Sequence, residues 1–190
     1  MDPATSPGEP DADTLPLKAP VTDRDHSRGP PDAPVTLVEY GDYECPYCRR
    51  AHQVMKTLLH TMHDRLRFVY RNFPLTTLHP HAALAAQASE AADLQGTFWE
   101  MHDTLYEHRD ARELVDIQQY AVALGLDLDQ FVADMASEEV MNRVKEEFRG
   151  GVRSGVNSTP TFFLNGARYN GDYDLQSLTA ALEKAAGANR

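Results

Sequence analysis

The chain has 190 residues, of which 42% are hydrophobic and 25% are charged, and its formal net charge at pH 7 is −11. This length and composition are typical of one globular domain. The acidic balance argues against nucleic acid and anionic membrane surfaces as partners. Because the sequence has no run of about 18 apolar residues, it predicts no membrane span and no integral membrane protein.

The first 34 residues are rich in proline, aspartate, serine and threonine and contain eight of the twelve prolines. This composition predicts a flexible arm over residues 1–19, which Leu15-Pro16-Leu17 could pin to the domain surface. The segment has neither the apolar core of a secretory signal nor a twin-arginine pair, so a cytoplasmic location is expected. Low cysteine usage agrees with a reducing compartment, where a close cysteine pair is more often catalytic than structural.

The chain has two cysteines, Cys45 and Cys48, and they follow a short apolar run over residues 35–40. The pattern predicts a buried strand, a turn and a helix that begins at the first cysteine. Free backbone N–H groups and the helix dipole favour a thiolate at that position, and Pro46 fits the first helical turn. Cys45 is therefore the predicted nucleophile, and Cys48 is predicted to resolve the mixed disulfide.

Three other interpretations of the Cys-x-x-Cys spacing remain open but are less well supported. Half of a zinc site would need further ligands, and only His79 and His81 are paired nearby. A structural disulfide closing so short a loop would constrain the unfolded chain little. Two inert core cysteines fit poorly with the strand–turn–helix context and Pro46. The sequence thus favours redox chemistry with no metal and no cofactor.

Three charged residues near the cysteines require explanation. Glu39 lies at the end of the predicted strand, where a buried carboxylate is costly unless it is hydrated or paired. It is interpreted as the group that exchanges a proton with Cys48, or alternatively as a solvated glutamate at the sheet edge. Arg49 and Arg50 could add positive potential near the thiolate, but they are expected on the solvated face of the helix.

A mixed α/β fold is predicted from the rest of the chain. A helix over residues 45–64 and a strand over 66–73 complete a strand–helix–strand unit, whose two strands should be parallel. Later, Asn165-Gly166 predicts a hairpin, and Asp174 is the expected cap of a final helix. Residues 20–76 and 156–190 are assigned to this sheet domain.

Between the two parts of the sheet domain, residues 77–155 show only short amphipathic helices. They are predicted to form an inserted helical subdomain, whose last helix ends at Gly150-Gly151. The cluster Phe98-Trp99-Glu100-Met101-His102 is expected in its core, and no catalytic role is assigned to His102 or His108.

The dipeptide Thr159-Pro160 opens the strand before the hairpin. A proline at this place fits a turn that exposes backbone. Such a turn would offer the N–H and C=O of Thr159 to a peptide substrate beside Cys45.

Together these motifs resemble the thioredoxin fold, and the helical insertion is similar to its DsbA-like branch. Some members of the similar bacterial subgroup are appended to sodium/proton antiporters. The resemblance covers about residues 20 to 186 and rests on these segments: Ala33 to Tyr40, Cys45-Pro46-Tyr47-Cys48, Asn72 to Leu75, Phe98 to His102 and Gly155 to Phe162.

The resemblance implies dithiol–disulfide exchange on protein thiols, with a cis Pro160 facing the disulfide and Glu39 as the buried acid. The predicted catalytic residues are Cys45, Cys48 and Glu39. Substrate contacts are expected from these residues: Pro46, Tyr47, Thr159 and Pro160.

Glutathione or a thioredoxin-type protein is the expected recycling partner. Two alternative functions remain: a redox-responsive regulatory module for a membrane transporter, and a glutathione-dependent enzyme on the same fold.

Overall fold

The computed structural model describes residues 15–108 and 112–188, so most of the arm predicted over residues 1–19 lies outside the described residues. In the described ranges, five strands form one sheet: β1 His26–Arg28, β2 Val35–Gly41, β3 Leu66–Asn72, β4 Thr161–Leu164 and β5 Ala167–Tyr169. Seven helices accompany them: α1 Pro46–Thr61, α2 Ala82–Asp93, α3 Phe98–Glu107, α4 Leu114–Ala123, α5 Leu128–Met135, α6 Glu138–Arg153 and α7 Leu175–Ala188.

The sheet is mixed and has the spatial order β1-β3-β2-β4-β5. Strands β2 and β3 are parallel and joined through α1, whereas the other three pairings are antiparallel. Asn165 and Gly166 have φ values of 47° and 83°, the left-handed conformations that a two-residue hairpin turn requires. The predicted thioredoxin-like α/β fold, its parallel unit and its hairpin are therefore confirmed.

Apolar side chains pack on both faces of the sheet. Val35 and Leu37 belong to the larger core, which includes α1 and α7, whereas Val38 and Tyr40 belong to a smaller core on the opposite face. Because side chains alternate along a strand, Glu39 faces the larger core with Val35 and Leu37. The sheet thus directs one carboxylate toward α1.

Strand β1 falls within the proline-rich leading segment and was not predicted. Its three residues have no apolar alternation, so no local signal marks them. Tertiary contacts hold it in place: the His26 ring stacks on Phe98 with centroids 3.5 Å apart, and His26 Nε2 lies 3.0 Å from a carboxylate oxygen of Glu90. The strand is thus anchored by α2 and α3.

The predicted end of the last inserted helix at Gly150-Gly151 is wrong, because α6 continues to Arg153. These glycines permit close packing instead: a Cβ on Gly151 would lie 2.7 Å from the Phe73 ring. The chain turns at Gly155, whose φ is +78°.

The described part of the leading segment follows the sheet. Leu15 to Leu17 pairs with the hairpin: Leu17 N–H donates to Gly166 O (2.8 Å), and Arg168 N–H donates to Leu15 O (3.0 Å). Further on, the guanidinium of Arg71 bonds both carboxylate oxygens of Asp25 at 2.7 and 3.1 Å. The helices α2 to α6 all lie between β3 and β4 in sequence, and their division into a separate subdomain stays a prediction.

Candidate active site

The start of α1 places the two cysteines one helical turn apart. Cys45 is the N-cap residue in an extended conformation, and Pro46 follows it in the first turn. Both thiols are free. The exposed fraction is 4% for Cys45 and zero for Cys48, so the first cysteine is the one that a substrate can approach.

The environment lowers the pKa of Cys45 to about 5. A hydrogen bond from the Cys48 thiol is the largest cause. Burial opposes it, and the backbone N–H groups of Tyr47 and Cys48 add to the lowering. These N–H groups are unpaired donors of a helix start, which favour an anion. This pKa favours the thiolate form of Cys45 at neutral pH, and the thiolate is the reactive form of a cysteine.

Cys48 has the opposite ionisation behaviour. Burial raises its pKa well above the ordinary value, and the nearby Cys45 and Glu39 raise it further. The backbone N–H of Asp42 lies 3.4 Å from Cys48 Sγ and offsets only part of this effect. Cys48 therefore keeps its proton at neutral pH, and its attack on another sulfur requires a proton acceptor.

Glu39 is the ionisable group that the sheet directs toward this interior. It is 2% exposed, and its Oε1 has no hydrogen-bond partner among the described residues. Burial raises its pKa to about 8, with a further contribution from Cys45. The interpretation of Glu39 as a solvated residue at the sheet edge is therefore wrong. A carboxyl group with this pKa can both accept and donate a proton near neutral pH.

The loop before β4 lies against Cys45. Its Thr159–Pro160 peptide bond is cis, and Thr159 O lies 3.4 Å from Cys45 Sγ, so the thiol form is placed to donate to it. The hydroxyl of Thr161 donates to Ser158 O at 2.7 Å and fixes the loop. Residues separated by 114 positions in sequence thus form one site.

The remaining predicted contact residues lie on the outer side of α1. Pro46 is exposed, and Tyr47 has an exposed fraction of 52%. The guanidinium of Arg50 lies over the Tyr47 ring, 4.8 Å from its centroid. This arrangement leaves a planar, partly apolar surface beside the reactive thiol.

A buried cluster of aromatic side chains packs behind the cysteines, and the sequence did not predict its hydrogen bonds. The Tyr43 hydroxyl lies 3.0 Å from His102 Nδ1, and the hydroxyls of Tyr70 and Tyr106 lie 3.0 Å apart. Burial raises the pKa of Tyr70 and of Tyr106 well above the ordinary value of a tyrosine. The core position expected for the Phe98–His102 segment is confirmed by the burial of Phe98, Met101 and His102.

Two groups of side chains have the donor types that bind metal ions: His52, His102 and Asp103, and His26, Glu90 and Glu147. In each group, an arginine guanidinium already lies against the carboxylates. Arg28 donates two hydrogen bonds to Asp103, at 2.7 and 3.2 Å. Arg143 lies between Glu90 and Glu147, at 3.6 and 3.1 Å. A metal ion would compete with these cations, and neither group contains a cysteine.

A protein-family model described as Thioredoxin matches residues 21–184. The chain belongs to the thioredoxin family. Among solved structures, a thioredoxin-like oxidoreductase from Silicibacter pomeroyi DSS-3 superposes with a TM-score of 0.77 at 30% identity, covering 86% of this chain and 93% of that one. The α-DsbA1 of Wolbachia pipientis gives a TM-score of 0.79 at 21% identity, covering 91% and 96%. The fold is thus DsbA-like.

The curated proteins similar to this chain are named as sodium/proton antiporters, unlike the solved structures. A Na(+)/H(+) antiporter NhaA 1 from Salinispora arenicola (strain CNS-205) is 47% identical over 175 residues, which are 92% of this chain and 27% of that protein. A Na(+)/H(+) antiporter NhaA 1 from Mycolicibacterium gilvum (strain PYR-GCK) is 46% identical over 185 residues, covering 96% and 30%. The chain therefore spans less than a third of the length of these relatives.

No helix in the described ranges is both long enough and apolar enough to cross a bilayer. The cytoplasmic location expected from the sequence stays a prediction.

Proposed function

We propose that the chain is a protein thiol–disulfide oxidoreductase that exchanges disulfides through a mixed-disulfide intermediate. The observation that supports this most directly is the unequal ionisation of the two cysteines. The pKa of Cys45 is lowered to about 5, whereas that of Cys48 is raised by burial. The sulfur of Cys45 is thus ionised for the first attack, whereas the sulfur of Cys48 stays protonated until the second step.

In the reducing direction, the Cys45 thiolate attacks one sulfur of a substrate disulfide. A bond forms between Cys45 and that sulfur, the substrate S–S bond breaks, and the other substrate sulfur leaves as a thiolate. Cys48 then loses its proton and attacks Cys45, which releases the second substrate sulfur. Two electrons have passed from the cysteines to the substrate, and the reverse sequence oxidises a dithiol.

Glu39 is assigned as the proton acceptor for Cys48 in the second step. Its carboxyl group faces the same core as Cys48, and its pKa of about 8 makes its protonation reversible near neutral pH. In the reverse direction it returns the proton as Cys48 becomes a leaving group.

The bound substrate segment is assigned to the surface between the Thr159–Pro160 loop and Tyr47. The backbone of Thr159 faces Cys45 and can pair with an extended peptide, while Pro46 and Tyr47 contact it from the other side. A substrate sulfur bound there would lie next to the part of Cys45 that solvent still reaches.

Insulin reduction by dithiothreitol tests the function, with Cys45→Ser and Cys48→Ser variants beside the unaltered protein. We expect no catalysis from Cys45→Ser, because the serine hydroxyl is not ionised at neutral pH. Incubated with insulin in the absence of dithiothreitol, the reduced Cys48→Ser protein should accumulate a disulfide between Cys45 and substrate, detectable by non-reducing electrophoresis. Turnover that survives Cys45→Ser would contradict the assignment of the nucleophile.

A second candidate function is a redox-responsive module acting on a membrane transporter. The specific observation that favours it is the match to part of proteins named sodium/proton antiporters. It predicts stoichiometric, redox-dependent binding to an NhaA-type antiporter, measurable by co-purification under oxidising and reducing conditions. Catalytic turnover of many unrelated disulfides would instead favour the oxidoreductase.

A further inference from the structure

A cavity of about 700 Å³ opens directly beside Cys45. Its lining includes that cysteine, three arginines (Arg49, Arg50 and Arg112) and one carboxylate, Glu44. The carboxylate already accepts hydrogen bonds, because Glu44 receives the backbone N–H of His81 at 2.7 Å and lies 3.1 Å from its Nδ1. The cavity is thus positively charged in a chain whose formal net charge is −11.

The arginines of α1 are placed by helical spacing. Arg49 follows Cys45 by four residues, and its backbone N–H donates to Cys45 O at 3.2 Å, so both side chains share one side of the helix. Arg50 is held over the Tyr47 ring. Within the described ranges neither Arg49 nor Arg50 forms an ion pair. Their charges remain available to a ligand.

We propose that this cavity binds a carboxylate located beside the disulfide of the substrate, so that the preferred substrates are acidic. The inference rests on the proposed exchange at Cys45 and specifies the substrate class of that site. It revises the expectation that Arg49 and Arg50 form only a solvated face. A carboxylate close to a disulfide occurs both in oxidised glutathione and in acidic protein segments that contain a disulfide.

The charges affect the first step of the exchange. When the Cys45 thiolate attacks, a bond forms between its sulfur and the nearer substrate sulfur, and the farther sulfur leaves with the electron pair of the broken bond. An anionic substrate approaching a thiolate is repelled. Arginines four and five residues after Cys45 reverse the sign of the local potential, so a neighbouring carboxylate increases the rate instead of lowering it.

The test uses three peptide disulfides that differ only in the residue next to cysteine: Glu, Gln or Lys. Rate constants for mixed-disulfide formation are measured with the Cys48→Ser protein at low salt. We expect the Glu peptide to react about fivefold to tenfold faster than the Lys peptide. This ratio should fall as ionic strength rises, since exposed charges are screened.

Arg49→Ser/Arg50→Ser should bring the Glu-to-Lys ratio close to one. The matched control is Lys145→Ser/Arg149→Ser, which removes the same charge from exposed positions of α6 outside this cavity and should leave the ratio unchanged. Equal rates for the three peptides in the starting protein would overturn the proposal. They would leave the oxidoreductase function intact as long as the Gln peptide still reacts.

Oxidised glutathione is tested beside the Glu peptide to distinguish the two sources. A rate above that of the peptide, lost in the Arg49→Ser/Arg50→Ser protein, would support the small molecule as the substrate. A slower reaction than the Glu peptide, with the same dependence on the arginines, would support acidic protein segments. A glutathione rate that does not change in the arginine variant would contradict the proposed binding of its carboxylates.

Discussion

Cys45 Sγ lies 3.4 Å from the carbonyl oxygen of Thr159, although 114 residues separate them in sequence. This contact places the N-terminus of α1 opposite the loop that precedes β4. The thiol is consequently bounded by backbone that can bind a peptide on one side and by Pro46 and Tyr47 on the other.

The first prediction concerns the pKa of Cys45. Cys48→Ala removes the thiol whose hydrogen bond is the largest cause of the lowered pKa, so this pKa should rise by about one to two units. Cys48→Ser keeps a hydroxyl donor and should give a smaller rise. Ultraviolet absorbance of the thiolate during a pH titration measures both. A pKa that stays near 5 in Cys48→Ala would show that the hydrogen bond at position 48 is unimportant.

The same ionisation predicts the pH dependence of the attacking step. The thiolate fraction of Cys45 increases as pH rises through its pKa of about 5. Alkylation of the unaltered protein by iodoacetamide should therefore accelerate from pH 4 to pH 6 and then level off. A rate that continued to rise through pH 8 would indicate an ordinary thiol.

The second prediction concerns Glu39 as a proton acceptor. Glu39→Gln cannot accept the proton of Cys48, so release of substrate from the mixed disulfide should slow by about 10- to 100-fold, whereas its formation should change much less. Stopped-flow measurement separates the two steps. An effect confined to formation of the mixed disulfide would contradict the assigned role.

Glu39 should also make stability depend on pH. Its pKa is about 8 in the folded protein, against an ordinary value of 4.5, so the folded state retains a proton that the unfolded state loses between these values. Stability should fall as pH rises through this window, by on the order of 5 kcal/mol for the full shift. Glu39→Gln should flatten the dependence. Urea unfolding in a Cys45→Ser background measures it without the contribution of Cys45.

The third prediction concerns the buried ion pair of Asp25 and Arg71. Both side chains are less than 10% exposed, and Arg71 also donates to the carbonyl groups of Ala19 and Pro20. Asp25→Asn would leave the guanidinium without its countercharge and should destabilise the protein by about 3 kcal/mol. Glu107→Gln breaks the exposed pair with Lys56 and should have an effect below about 1 kcal/mol. Urea unfolding measures both variants. Equal losses of unfolding free energy would contradict the greater importance of the buried pair.

The fourth prediction concerns the close packing at the end of β2. A Cβ on Gly41 would lie 2.5 Å from Cε2 and 2.8 Å from the hydroxyl of Tyr70. Gly41→Ala should therefore destabilise the protein by about 2 kcal/mol or more, since the buried ring has to move. The control, Gly187→Ala, has no atom within 4 Å of the added carbon and should be neutral or slightly stabilising. Thermal unfolding compares the two.

Local sequence patterns were sufficient for much of the fold. Several patterns depend only on residues that are close together in sequence: the alternation around β2 and β3, the cysteine spacing and the Asn165-Gly166 turn. Strand β1 was missed because its stability comes from α2 and α3. The helix end predicted at Gly150-Gly151 was wrong because glycine occurs both where a helix ends and where a helix packs closely against a neighbour. The residue type alone does not distinguish the two cases.

The candidate site was predictable to a similar extent. The unequal roles of Cys45 and Cys48 follow from their positions relative to a helix start. The place of Thr159-Pro160 came largely from a family resemblance, because no local rule joins residues so far apart. Arg112 had no signal at all, because no local pattern shows that a residue so far along the chain from Cys45 lines the cavity beside it.

The leading segment has a consequence for aggregation. Leu15 to Leu17 pairs with the outer side of the terminal hairpin, and the opposite edge of the sheet ends in β1, a strand of only three residues. Exposed strand edges are the usual sites of intermolecular pairing, and short or covered edges suppress it. Residues before β2 therefore protect both edges of the sheet. This protection would help the domain to resist aggregation with identical copies at high local concentration.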